Sequence, residues 1–210
     1  MAVKTPLEIG LLGGSFDPVH GAHIALAEAA LESLKLDHVE LLPAGRPWQR
    51  GDLGAAPEHR LHMLQIACAG HPGLRVNPIE IQRQGATYTL DTLLALPPGP
   101  RYTWIMGTDQ LANFCTWRQW PEILHHVRLA VAQRPGTSLV PPAALAAVLR
   151  TGDLVQIPFE VQPVSATAIR QALASGNPAD DMLNSRVLAY IRTHRLYAPH
   201  TPPQDTTEPT

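Results

Sequence analysis

Short apolar runs alternate along the chain with stretches in which apolar residues recur every three or four positions. The runs at 7–12, 39–42, 74–76, 102–106, 127–132 and 154–157 have strand length, and most carry few polar positions, as strands covered on both faces do. The stretches 21–36, 58–69, 88–96, 143–149, 168–174 and 183–194 keep helical spacing; in the first, Ile24, Ala27, Leu31 and Leu34 share one face. Strand and helix in alternation predict an α/β chain with a parallel sheet and helices on both of its faces. Sheets of this kind bind ligands outside the carboxyl ends of their strands. Gly13-Gly14, Pro43-Ala44, Gly107-Thr108-Asp109 and Arg134-Pro135-Gly136 all follow strands and are expected at that edge. A loop rich in glycine, proline and arginine spans 43–56, with the length and glycines of a lid.

The densest chemistry lies at 9–23, Ile-Gly-Leu-Leu-Gly-Gly-Ser-Phe-Asp-Pro-Val-His-Gly-Ala-His. An apolar strand runs into Gly13-Gly14-Ser15, read as a tight turn that exposes backbone N–H groups, and Asp17-Pro18 stops any early helix. A helix then begins near Gly21. A strand, a glycine turn and a helix start form an anion site, because unpaired N–H groups and the positive end of the helix dipole meet there. His20 and His23 continue the helix face that packs on the sheet and can both face that anion. A glycine pair or a single histidine would more often be structural; the two coincide here within one turn of chain.

The run Gly-Gly-Ser-Phe-Asp-Pro-Val-His-Gly-Ala-His resembles the signature of the nucleotidylyltransferase superfamily, and Ser165-Ala166-Thr167-Ala168-Ile169-Arg170 resembles its second mark, Ser-x-Thr-x-x-Arg. Within that superfamily the chain resembles the bacterial nicotinate-nucleotide adenylyltransferases, from about Leu7 to Tyr197. The resemblance implies a Rossmann-like, doubly wound parallel sheet. It also implies transfer of AMP from ATP to nicotinate mononucleotide, with Mg²⁺ carried by the ATP phosphates. His20, His23 and Arg170 would then be catalytic, the histidines on the α-phosphate and Arg170 on the β- and γ-phosphates. Gly13, Gly14, Ser15, Phe16, Gly107, Asp109, Ser165 and Thr167 would join them around ATP. Arg50, Thr87, Tyr88, Thr89, Trp117 and Arg134 would surround the acceptor, with Trp117 stacked on its pyridine ring; core packing is the competing role for that tryptophan.

Two positions depart from the family pattern. Ala22 stands where the family has glycine before the second histidine, and Gln49 stands where it has a histidine after two prolines, while Arg50 keeps the cation. Those departures leave open a nucleotide-sensing module without turnover, and the pocket residues leave open nicotinamide mononucleotide or another phosphorylated acceptor.

A chain of 210 residues that is 45 % hydrophobic suits one sizeable α/β core, expected over 1–198, with a proline-rich tail at 199–210 expected to be disordered. The formal net charge of -2 argues against nucleic acid as a partner but not against a small phosphorylated ligand. The start of the chain has no signal-peptide pattern, and no run reaches membrane-spanning length. With only Cys68 and Cys115, neither a disulfide framework nor a structural zinc site is expected, and a reducing cytoplasm is the expected compartment. A homo-oligomer is compatible with this reading.

Overall fold

The six apolar runs form one all-parallel sheet in a computed structural model that describes residues 5–47, 53–83, 85–160 and 162–198. Its strands are β1 (Glu8–Gly14), β2 (His38–Pro43), β3 (Leu74–Val76), β4 (Arg101–Gly107), β5 (Val127–Gln133) and β6 (Leu154–Pro158). Their order, β3-β2-β1-β4-β5-β6, reverses direction between β1 and β4. That is the Rossmann-like order, and the point of reversal opens a crevice at the carboxyl ends of the two central strands.

Successive strand residues point to opposite faces and fill two separate cores. Leu12, Leu41, Ile105 and Ala130 face one side, against α1 (Gly21–Ser33), α2 (Pro57–Cys68), α8 (Ala166–Ala174) and α9 (Ser185–Thr193). Leu11, Leu42, Trp104, Met106, Leu129 and Val131 face the other, under α4 (Thr89–Ala95), α5 (Thr108–Asn113) and α6 (Trp120–Ile123). Two further short helices, α3 (Ile79–Gln82) and α7 (Ala143–Ala146), pack on the same side. Among the described residues no helix is long and apolar enough to cross a membrane.

Several boundaries differ from the sequence expectation. Gly13 and Gly14 do not form a turn: they continue β1 and pair with Leu42 and Pro43. Neither has a positive φ. The requirement at Gly13 is close approach, because a Cβ there would lie 2.9 Å from the Trp104 ring. The turn comes later, where Phe16 takes a φ of 47°. Helix α1 ends at Ser33 rather than 36 because Lys35 is left-handed, at φ 53°. The Leu36 N–H then donates to Leu31 O and the Lys35 N–H to Glu32 O, a Schellman motif that swings Leu36 into the core. Helices α3, α5 and α6 and a 3-10 turn at Phe114–Thr116 were not expected, being too short for a period to register.

Candidate active site

One buried carboxylate stands just beyond the carboxyl end of β1. Asp17 is 1 % exposed. Its oxygens accept the backbone N–H of Gly54 at 2.7 Å and of Ala55 at 3.0 Å, and the Tyr197 hydroxyl at 2.7 Å. Burial, then the bond to Asp17, drive the Tyr197 phenol far above its ordinary pKa, so it remains a donor. Arg60, on α2, is fully buried and donates to three carbonyls: Ser15 at 2.7 Å, Gly45 at 3.1 Å and Ala55 at 3.2 Å. Burial pulls its pKa down, and the field of Asp17 opposes that pull. Guanidinium groups hold their proton under such a shift. These two charges tie the end of β1 to both ends of the loop that follows β2.

Asp17 also brings the two sequence marks together. Arg170 donates from Nη1 to the Asp17 carbonyl at 2.7 Å, lies 3.9 Å from its carboxylate, and donates from Nη2 to Thr167 Oγ1 at 3.3 Å. Ser165 caps α8, its Oγ accepting from the Ala168 N–H at 3.2 Å. The helix thus starts two residues earlier than the expected 168–174, which puts Arg170 in its second turn.

Three residues after Asp17 the chain enters α1, with His20 as N-cap and His23 in the first turn. The His20 N–H donates to His23 Nδ1 at 3.2 Å. Accepting there leaves the proton of a neutral His23 ring on Nε2. The two rings lie 3.8 Å apart at 31°, and Phe16 meets His23 edge-on at 4.9 Å. His20 is 8 % exposed, and its Nδ1 is buried with no hydrogen-bond partner among the described residues. Burial lowers its pKa from 6.5 to about 4, so the ring is neutral at physiological pH. The unfolded chain takes up a proton at His20 below pH 6.5 and the folded chain only near pH 4. Stability from this group is therefore complete above pH 6.5 and is lost as the pH falls through that window. In urea titrations, His20→Gln should weaken the acid slope by up to about one proton; an unchanged slope would contradict the buried neutral ring.

On the other side of β1 a cavity of about 150 Å³ opens between the strand ends and α4. Its walls include Gly13, Gly14 and Ser15, expected around ATP, together with Thr87, Thr89 and Trp117, expected around the acceptor. Thr87 is held by Arg46, whose N–H donates to its Oγ1 at 3.1 Å. Trp117 is half-buried, edge-on to Trp104 with ring centres 6.1 Å apart, so it packs and lines the cavity at once. Tyr88 is half-buried and carries the Arg118 guanidinium 4.7 Å from its ring centre.

The remaining expected residues do not line the cavity. Phe16 is buried in the core, with His23 against its ring. Gly107 caps α5 with φ -87°, and its N–H donates to Gln110 Oε1 at 3.3 Å; Asp109 is exposed in the first turn of that helix. Arg134 is exposed after β5. Gln49, Arg50 and the tail at 199–210 lie outside the described residues. Arg60, Tyr197 and two further residues of the cavity wall, Glu80 and Gln110, were missed, and Asp17 was read only as a helix stop. Arg60 did leave a signal: it sits three, four, seven and eight residues before Met63, Leu64, Ala67 and Cys68, a charge on the apolar face of α2.

The profile of the cytidylyltransferase-like family matches residues 11–172. A probable nicotinate-nucleotide adenylyltransferase of Bordetella pertussis is 59 % identical over 191 residues, covering 90 % of this chain and 97 % of that one. Its counterpart in Methylibium petroleiphilum is 40 % identical, covering 91 % and 92 %. The chain belongs to the nicotinate-nucleotide adenylyltransferase family. Among solved structures, the Plasmodium falciparum nicotinic acid mononucleotide adenylyltransferase complexed with NaAD superimposes with a TM-score of 0.73 at 16 % identity, covering 91 % of this chain and 97 % of that one. At that identity the likeness is one of fold. In terms of this adenylyltransferase fold, the cavity and the histidine pair flank the carboxyl end of β1, the edge at which such sheets bind ligands.

Proposed function

We propose that the protein transfers AMP from ATP to nicotinate mononucleotide, giving nicotinic acid adenine dinucleotide and pyrophosphate. The observation that carries this reading is the bond between Arg170 and the Asp17 carbonyl, which sets the carboxyl-terminal guanidinium beside the amino-terminal histidine run. A phosphate oxygen of the acceptor attacks the α-phosphorus of ATP as the bond to the bridging oxygen breaks, and pyrophosphate leaves with that electron pair. An ionised phosphate needs no general base. The protein's task is to align two polyanions and to meet the charge that grows in the transition state. The Nε2–H of His23 and the neutral His20 ring, at the amino end of α1, suit the α-phosphate, and Arg170 suits the departing phosphates. The donors gathered here are imidazole and guanidinium nitrogens, which favour phosphate oxygens. ATP enters as its Mg²⁺ complex, with the ion on its phosphates. The acceptor's pyridine ring sits in the cavity lined by Thr87, Thr89 and Trp117.

The test is pyrophosphate release from ATP and Mg²⁺ with each candidate acceptor. Release with nicotinate mononucleotide is expected; preference for the nicotinamide form would refute the acceptor, and no release with any mononucleotide would leave a nucleotide sensor. In the same assay Trp117→Ala should raise KM for the acceptor about ten-fold and leave that for ATP unchanged, since lost stacking of this size is worth about 1.4 kcal/mol. An unchanged acceptor KM would assign Trp117 to packing alone.

A further inference from the structure

The cavity wall contains a carboxyl group to which the proposed reaction gives no role. Glu80 lines the cavity with Thr87, Thr89 and Trp117 and is only 4 % exposed. Its helix, α3, is wedged against the segment after β2, so closely that a Cβ on Gly45 would lie 2.5 Å from the Glu80 carbonyl oxygen. The Thr92 hydroxyl, from α4, donates to Glu80 Oε1 at 2.8 Å. Arg83 donates to Thr92 Oγ1 at 3.0 Å, and no ion pair joins it to Glu80 among the described residues. Among the described residues the hydrogen bond on the Glu80 carboxyl comes from Thr92 of α4, which is not titratable, and the charge acting on it from Arg83. Burial pushes the carboxyl up from 4.5 to about 7, against the Thr92 bond and Arg83, which pull it down.

We propose that Glu80 is a specificity-determining residue: the cavity accepts a carboxylate-bearing pyridine ring while Glu80 is neutral and disfavours it once Glu80 ionises. This rests on the reading that the cavity holds the acceptor's ring. A second carboxylate in the cavity is repelled by an ionised Glu80 whose own side chain is buried, whereas an uncharged carboxamide ring is indifferent to that charge. Linkage makes the effect reciprocal. A nicotinate ring in the cavity raises the affinity of Glu80 for its proton, so binding takes up a proton near neutral pH.

The experiment is KM for nicotinate mononucleotide between pH 6.5 and 8.5 in the wild type and in Glu80→Gln. Glutamine keeps an oxygen to accept from Thr92 and cannot ionise. Titration of the substrate phosphates affects both proteins alike, so their KM ratio isolates Glu80. If the bound ring raises the Glu80 pKa by one unit, the wild-type KM relative to the variant should climb about six-fold across that range. The kcat ratio should stay constant with pH, and with nicotinamide mononucleotide the KM ratio should stay flat. A second measurement needs no variant. Calorimetry of the wild type in buffers of different ionisation enthalpy should show more proton uptake with the nicotinate than with the nicotinamide mononucleotide at pH 7.5. A pH-independent KM ratio for the nicotinate substrate, or equal proton uptake with both ligands, overturns the role of Glu80 and leaves the reaction untouched. Absence of turnover with nicotinate mononucleotide overturns the functional reading beneath it.

Discussion

Replacing His20 or His23 by alanine should lower kcat by about 10²–10³-fold while the protein stays folded, the size of effect seen when one preorganised donor to a transition-state oxyanion is lost. Both residues stand at the amino end of α1, and their rings lie 3.8 Å apart. The two losses should not add. The rings lie in contact, so removing one alters the setting of the other, and the double variant should fall little below the worse single one. His20 is neutral at physiological pH, so its part is donation of a hydrogen bond rather than of charge. Steady-state pyrophosphate release, with circular dichroism to confirm folding, decides the matter. Wild-type turnover in either variant would falsify the assigned role.

Asp17→Ala should cost about 3–5 kcal/mol of stability, the range found when one partner of a buried charge pair is removed. Three donors, the N–H groups of Gly54 and Ala55 and the Tyr197 hydroxyl, lose their acceptor, and the buried Arg60 guanidinium loses the negative field that offsets its desolvation. Urea denaturation should show a lower midpoint at nearly constant slope. Adding Arg60→Met to Asp17→Ala should cost much less than the sum of the two single changes, because it removes the charge left without a counterpart. A midpoint shift worth less than about 1 kcal/mol would mean that this network does not hold the loop.

The strands were legible in the sequence for a physical reason. A parallel strand covered on both faces must be apolar at nearly every position, and β1, β2, β4 and β5 are each bordered by charged or turn-forming residues. Gly13 and Gly14 were misread because composition does not distinguish a glycine that bends the chain from one that makes room. The Trp104 ring that requires Gly13 comes from β4, 91 positions further on. The residues expected in the site were drawn from motifs, and motifs name groups that touch ligands. Asp17 lay inside the strongest motif and still escaped notice, because its partners at Gly54, Ala55 and Tyr197 come together only in the folded chain. Glu80 escaped for the same reason: nothing local marks a glutamate whose buried carboxyl will meet a threonine on another helix.

The Tyr197–Asp17 bond spans 180 positions of the chain. During translation, the amino-terminal signature emerges first but has no phenol to meet its carboxylate until the ribosome has delivered residue 197. A nascent chain that pairs β1 with β2 early therefore completes this brace on Asp17 only once residue 197 has emerged.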